Sequence, residues 1–100
     1  MKIFLYIFQF LIVSMTFNLN ENQDENYVPD EKTAIKVAEA IWIPIYGEKV
    51  LDKKPFKATI SEDGTIWTVK GTVPKGMLGG FPIIEIRKSD CKIIKVFHSK

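Results

Sequence analysis

Two side chains in this 100-residue chain could form an acid–base couple: Glu85, and His98, the one histidine. Both sit in β-rich stretches near the C-terminus, and if those stretches pair as a hairpin they fall on neighbouring strands and on the same face. A carboxylate beside an imidazole is the minimum for general acid–base work. The same pair serves equally as polar groups at a strand end or as contacts for a partner. A nucleophilic triad would need His98 held in place, yet it stands close to a C-terminus, where chains fray. Metal chemistry lacks a ligand set, since there is one His, one Cys and no carboxylate pair at ligand spacing. No cofactor is expected. In "GTVPKGMLGGFPIIEI", residues 71–86, Gly71 and Gly76 have phosphate-loop spacing, but Met77 and Leu78 stand where a Lys and a hydroxyl should follow. What the stretch offers instead is Lys75, Met77 and Leu78 at a loop tip, and Met beside Leu on a loop is adaptable contact surface. A plain connection between two strands is the competing reading. The candidate partner-binding residues are therefore Lys75, Met77, Leu78, Glu85 and His98.

The elements that must position them begin at Asp30, a good N-cap followed by Glu31, where the helix dipole favours negative charge. Ala34, Ala38, Ile41 and Ile45 recur at helical spacing, joined by Ile35 and Trp42. Pro44 predicts a kink or an end near Ile43, and Gly47 a C-cap. "EKVLDKK" reads as a short strand. Asp63-Gly64 between two β-rich runs signals a hairpin with Ile60 opposite Trp67, Ala58 opposite Val69 and Phe56 opposite Gly71. Gly71 would leave an empty site for the Phe56 ring or a point where the sheet bends. In the last hairpin, a turn at Ser89 to Lys92 puts Ile84 and Ile86 on a face with Phe97, Lys95 and Ile93. Ile83, Glu85 and Arg87 then share the other face with His98, Val96 and Ile94. Trp42, Trp67 and Tyr46 are expected in packing roles. The architecture that follows is α+β: one long N-terminal helix packed on a strongly curved antiparallel sheet of four to five strands. Because both faces of the last hairpin are partly apolar, a homodimer stays open.

Composition sets the class. With 26% charged and 46% hydrophobic residues the chain is an ordinary globular domain, and one domain is all its length holds. A formal charge of +2 argues against nucleic acid, which needs basic residues gathered on one surface. Lys49, Lys53, Lys54 and Lys57 cluster around Asp52 as a solvated edge strand would, with docking to an acidic partner as the sharper alternative. At the N-terminus, "MKIFLYIFQFLIVSMTF" has one Lys, an apolar run from Ile3 to Val13, and small residues at Ser14 and Thr16. That is the layout of a secretory signal, too short for the ~20 apolar residues of a spanning helix. Residues 1–17 are thus a signal peptide or an N-terminal anchor, 18–28 a polar spacer, and 29–100 the folded domain. Membrane contact would come only through an uncleaved N-terminal segment, and the domain is expected in the periplasm or cell envelope. The lone Cys91 rules out an intramolecular disulfide, so the body stands on packing.

The order "AIKVAEAIWIPIYG", "KPFKATI", "WTVKGTVPKGMLGGFPIIEI" and "IIKVFHSK" resembles the small bacterial immunity proteins with a nuclear-transport-factor-2-like (cystatin-like) fold. Its specific pieces are Tyr46-Gly47, Pro55-Phe56, Trp67 four residues before Gly71, Gly79-Gly80, Glu85 and His98-Ser99-Lys100. Cys91 and Ser99 stand where that pattern would have glycines. The resemblance implies a non-enzymatic protein that neutralises a cognate protein toxin, and export implies a toxin acting in the cell envelope. A small-molecule-binding or isomerase-like enzyme on the same fold would instead draw on Tyr46, Glu85 and His98. A general inhibitor or scaffold of envelope enzymes is the third reading.

Overall fold

The computed structural model describes residues 26–76 and 79–100. The expected signal segment, residues 1–17, and the loop residues Met77 and Leu78 lie outside the described residues.

One helix, α1 (Glu31–Tyr46), precedes a short 3-10 helix (Glu48–Lys53) and four strands: β1 (Lys57–Ile60), β2 (Ile66–Lys70), β3 (Pro82–Arg87) and β4 (Ile93–His98). Asp30 caps α1 as expected, accepting from the Thr33 N–H at 2.8 Å and the Thr33 hydroxyl at 2.6 Å. Ala34, Ala38 and Trp42, four residues apart, are fully buried, and the two alanines let the helix approach the sheet closely. The buried stripe is centred on Trp42, so Ile45 is 56% exposed rather than part of the core. The helix runs through Pro44 to Tyr46. In the last turn a missing N–H costs one hydrogen bond, and Gly47, at φ 84°, closes the end by donating to the Ile43 carbonyl at 2.8 Å. "EKVLDK" is a 3-10 helix, not a strand. Its two apolar residues, the buried Val50 and half-buried Leu51, are adjacent, and strand alternation would send them to opposite faces.

The strands form an antiparallel meander in the order β1-β2-β3-β4. The first hairpin has the expected register, with Ala58 opposite Val69 and Ile60 opposite Trp67. Asp63 organises its turn, accepting from the Ser61 and Thr65 hydroxyls at 2.6 and 2.7 Å. Ala58, Val69, Ile84 and Val96 form one row across the sheet, and Trp67, Ile86 and Ile93 the next. This is the face that α1 covers, because Ala58, Trp67, Val69, Ile84 and Ile86 are buried with Ala34, Ala38 and Trp42 in one cluster. The opposite, outer face carries Lys57, Lys70, Ile83 and Phe97 in one row and Thr59, Thr68, Glu85 and Lys95 in the other.

Two details differ from expectation. In the last hairpin, Glu85 faces Lys95 and Ile86 faces Ile93, so Ile94 is a bulge residue. One extra residue flips everything beyond it. Val96 and His98, not Lys95 and Phe97, therefore share the helix-facing side with Ile84. At Gly71 the space is filled, but not by Phe56. A Cβ there would sit 2.8 Å from Pro82 Cδ and 3.1 Å from Lys53 Cβ, while the Phe56 ring packs edge-on against Trp42 at 5.0 Å. Val28 is fully buried, and its carbonyl accepts from the Trp67 indole N–H at 2.8 Å. The Tyr27 and Val28 N–H groups donate to the Ser89 and Lys88 carbonyls, so these residues lie against the last hairpin.

Candidate partner-binding site

The C-terminal turn of α1, the 3-10 helix, the end of β4 and the 71–81 connection enclose a cleft of about 610 Å³. Tyr46, Lys49, Lys53, Pro74, Gly80 and His98 are among its lining residues. Gly47 turns the chain sharply enough to bring the 3-10 helix, with Lys49 and Lys53, beside Tyr46. The Thr72 N–H then fastens the connection to this helix by donating to the Lys53 carbonyl at 2.7 Å.

His98 is placed here by its neighbours. Its ring stacks edge-on against Tyr46, centroids 5.6 Å apart. Nδ1 lies 2.7 Å from the Ser99 carbonyl oxygen, which only accepts, so Nδ1 is the donor of this bond. Two hydrogen bonds tie the chain to the 71–81 connection here. The Ser99 N–H donates to the Phe81 carbonyl and the Phe81 N–H to Ser99 Oγ, each at 3.0 Å. Gly80 makes this docking sterically feasible, since a Cβ there would fall 1.7 Å from the Ser99 carbonyl oxygen. Ser99, where the resemblance favours a glycine, thus has a hydrogen-bonding task. Cys91 takes the left-handed conformation a turn glycine would supply, at φ 63°.

The Glu85–His98 couple that same-face pairing would allow is not formed. The Ile94 bulge sends the two side chains to opposite faces, with Glu85 across from Lys95 and His98 across from Pro82. Among the described residues no hydrogen bond joins His98 to a carboxylate, and no group of three or more His, Cys, Asp or Glu could hold a metal ion. Lys75 is exposed beside Gly76 in the turn before Met77 and Leu78. Of the five candidate residues, His98 lines the cleft and Lys75 belongs to the connection that borders it. Glu85 faces away, which removes one of the three polar groups that an enzyme in this cleft was expected to use.

Sequence reasoning missed Lys49, Lys53 and Asp52 as cleft residues. Their signal was the charged run after Gly47, read as an edge strand; in the structure Lys57 alone of that lysine cluster is on β1. Lys49 and Lys53 make no ion pair among the described residues, where the pairs are Lys54–Glu39 and Arg87–Asp90. The two lysines outnumber the one acid, Asp52, so the cleft favours negatively charged surface. Perturbed carboxyls lie elsewhere. Hydrogen bonds from Thr33 hold Asp30 below the ordinary carboxyl range, those from Ser61 and Thr65 do so for Asp63, and the Arg87 guanidinium does so for Asp90. All three serve a cap or a turn.

Comparison with known proteins gives the family. Residues 33–100 match the NTF2 fold immunity protein family over the helix, the sheet and the cleft. The chain belongs to that family. Its fold class is accordingly NTF2-like, a helix packed on a four-stranded antiparallel sheet. Membership implies neutralisation of a toxin by binding and a non-enzymatic role. Among curated relatives, Uncharacterized protein YbbC of Escherichia coli (strain K12) is 34% identical over 85 residues, covering 83% of this chain and 68% of that protein. Uncharacterized protein YhhH of the same strain is 35% identical over 77 residues, covering 75% of this chain and 59% of that protein. No solved structure matches.

Proposed function

We propose that this immunity protein binds and neutralises a toxin acting in the cell envelope, without turning over a substrate. The observation that carries the reading is the cleft. It gathers the His98 imidazole and two lysines, Lys49 and Lys53, that form no ion pair among the described residues, while Glu85 lies on the opposite face of the sheet from His98. Envelope action rests on the sequence, through the apolar segment at residues 1–17. No helix of the described residues is long and apolar enough to cross a membrane, so attachment would depend on that segment.

The test pairs the full chain with the toxin encoded beside its gene. Binding should be stoichiometric, and co-expression should protect a sensitive host. Deleting residues 1–17 should remove protection while leaving binding of the purified proteins intact. Absence of binding to any neighbouring toxin, or equal resistance in a host lacking the protein, would defeat the proposal. Protection that survives deletion of residues 1–17 would place the toxin's action in the cytoplasm.

A further inference from the structure

On the outer face of the sheet, Lys57 of β1 stands directly opposite Lys70 of β2. Both are exposed, and neither meets an acid among the described residues, whose ion pairs are Lys54–Glu39 and Arg87–Asp90. Like charges directly opposite each other on a sheet work against pairing. A lysine on an edge strand guards against edge-to-edge association. That accounts for Lys57, since β1 is an edge, but not for Lys70, which is on the interior strand β2. The two lysines border a second cleft, of about 530 Å³, with Thr59, Thr72, Val73 and Phe81, and no acid lines it. The paired ammonium groups thus stand beside hydroxyls and apolar side chains, a combination suited to a carboxylate next to an apolar residue.

The geometry points to this outer-face groove as a binding site for an acidic, partly apolar segment of a protein partner, with Lys57 and Lys70 gripping its carboxylates. The inference rests on the reading that the chain works by binding a protein. The connection 71–81 borders both clefts, through Pro74 and Gly80 on one side and Gly71, Thr72, Val73 and Phe81 on the other. A toxin embracing this end of the sheet would therefore reach both.

The experiment is an amide NMR titration of the full chain with a hexapeptide alternating glutamate and phenylalanine, compared with K57T/K70T. Shifts should centre on Thr59, Lys70, Thr72 and Phe81, and affinity should fall about tenfold in the variant, two partly exposed charge contacts being lost. Raising salt from about 20 to about 200 mM should weaken the wild type several-fold. The variant's own melting temperature at low salt should rise by about 1 to 4 °C as the repulsion goes. Shifts centred on Tyr46 and His98 or spread over all lysines, equal affinity in the variant, equal binding of an oligonucleotide of the same charge, or a lowered melting temperature would each overturn the assignment. The neighbouring toxin separates the two readings. If it binds wild type and variant equally, the groove fails and immunity stands; if the peptide docks in the groove but no toxin binds, immunity fails and the groove stands.

Discussion

Replacing Gly80 with Ala tests how the cleft is built. The added Cβ would lie 1.7 Å from the Ser99 carbonyl oxygen and 2.5 Å from its carbon, and these are backbone atoms that cannot rotate away. Ser99 must move, which breaks its two hydrogen bonds with Phe81. At about 0.5–1.5 kcal/mol each, these sum to about 1–3 kcal/mol. The adjacent His98–Tyr46 ring contact adds about 0.5–1.5 kcal/mol if it is lost as well. Against this, alanine loses less chain entropy on folding, an offset of about 0.4–1 kcal/mol. The net expectation is about 1–3 kcal/mol, or roughly 5 to 20 °C in melting temperature for a domain of this size. Urea denaturation followed by tryptophan fluorescence measures it. A companion chain ending at His98 removes the clash, so Gly80→Ala in that background should cost far less, a non-additivity that a double-mutant cycle reads directly. A cost below about 0.5 kcal/mol in the full chain, or an equal cost in both backgrounds, would refute the reasoning.

Three further outcomes are expected. Trp67→Phe should destabilise more than Trp42→Phe, by about 1–2 kcal/mol in urea denaturation, because it strands the buried Val28 carbonyl, whereas the Trp42 indole N–H has no hydrogen-bond partner among the described residues. Stability should be flat above about pH 5 and fall as pH drops below about 4. The folded carboxyls of Asp30, Asp63 and Asp90 protonate later than the unfolded ones, so the unfolded chain takes up protons first; Asp90→Asn should make the fall shallower, as denaturation midpoints across pH would show. Replacing Met77 and Leu78 together by Asp should abolish binding of the neighbouring toxin, measured calorimetrically, with the melting temperature unchanged; unaltered affinity would retire that loop as a contact.

The first hairpin was legible because Ala58, Trp67 and Val69 alternate with polar residues around Asp63-Gly64, and only one register buries them together. The second hairpin was not. β3 carries Ile83, Ile84 and Ile86 and β4 carries Ile93, Ile94 and Val96, so apolar residues stand on both faces and the pattern tolerates a one-residue slip. The bulge at Ile94 settled the slip and with it the separation of Glu85 from His98. Nor does any local signal announce that Gly80 meets Ser99, because that contact joins residues brought together only by the finished sheet. For the 3-10 helix, six residues are too few for periodicity to distinguish a helix from a strand. Tyr46 and His98 were recognisable as side chains of interest; their stacking required α1 to continue past Pro44.

In the function proposed above, this immunity protein occupies a toxin and transforms no substrate itself. Calorimetric titration of the purified toxin from the adjacent gene into the full chain, with toxin activity followed in the same samples, tests it most directly. The expected result is a saturable, stoichiometric complex in which toxin activity is lost and which persists when His98→Ala removes the imidazole, at reduced affinity. A host protected without any complex, by a turnover that disappears in His98→Ala while the fold is kept, would contradict it.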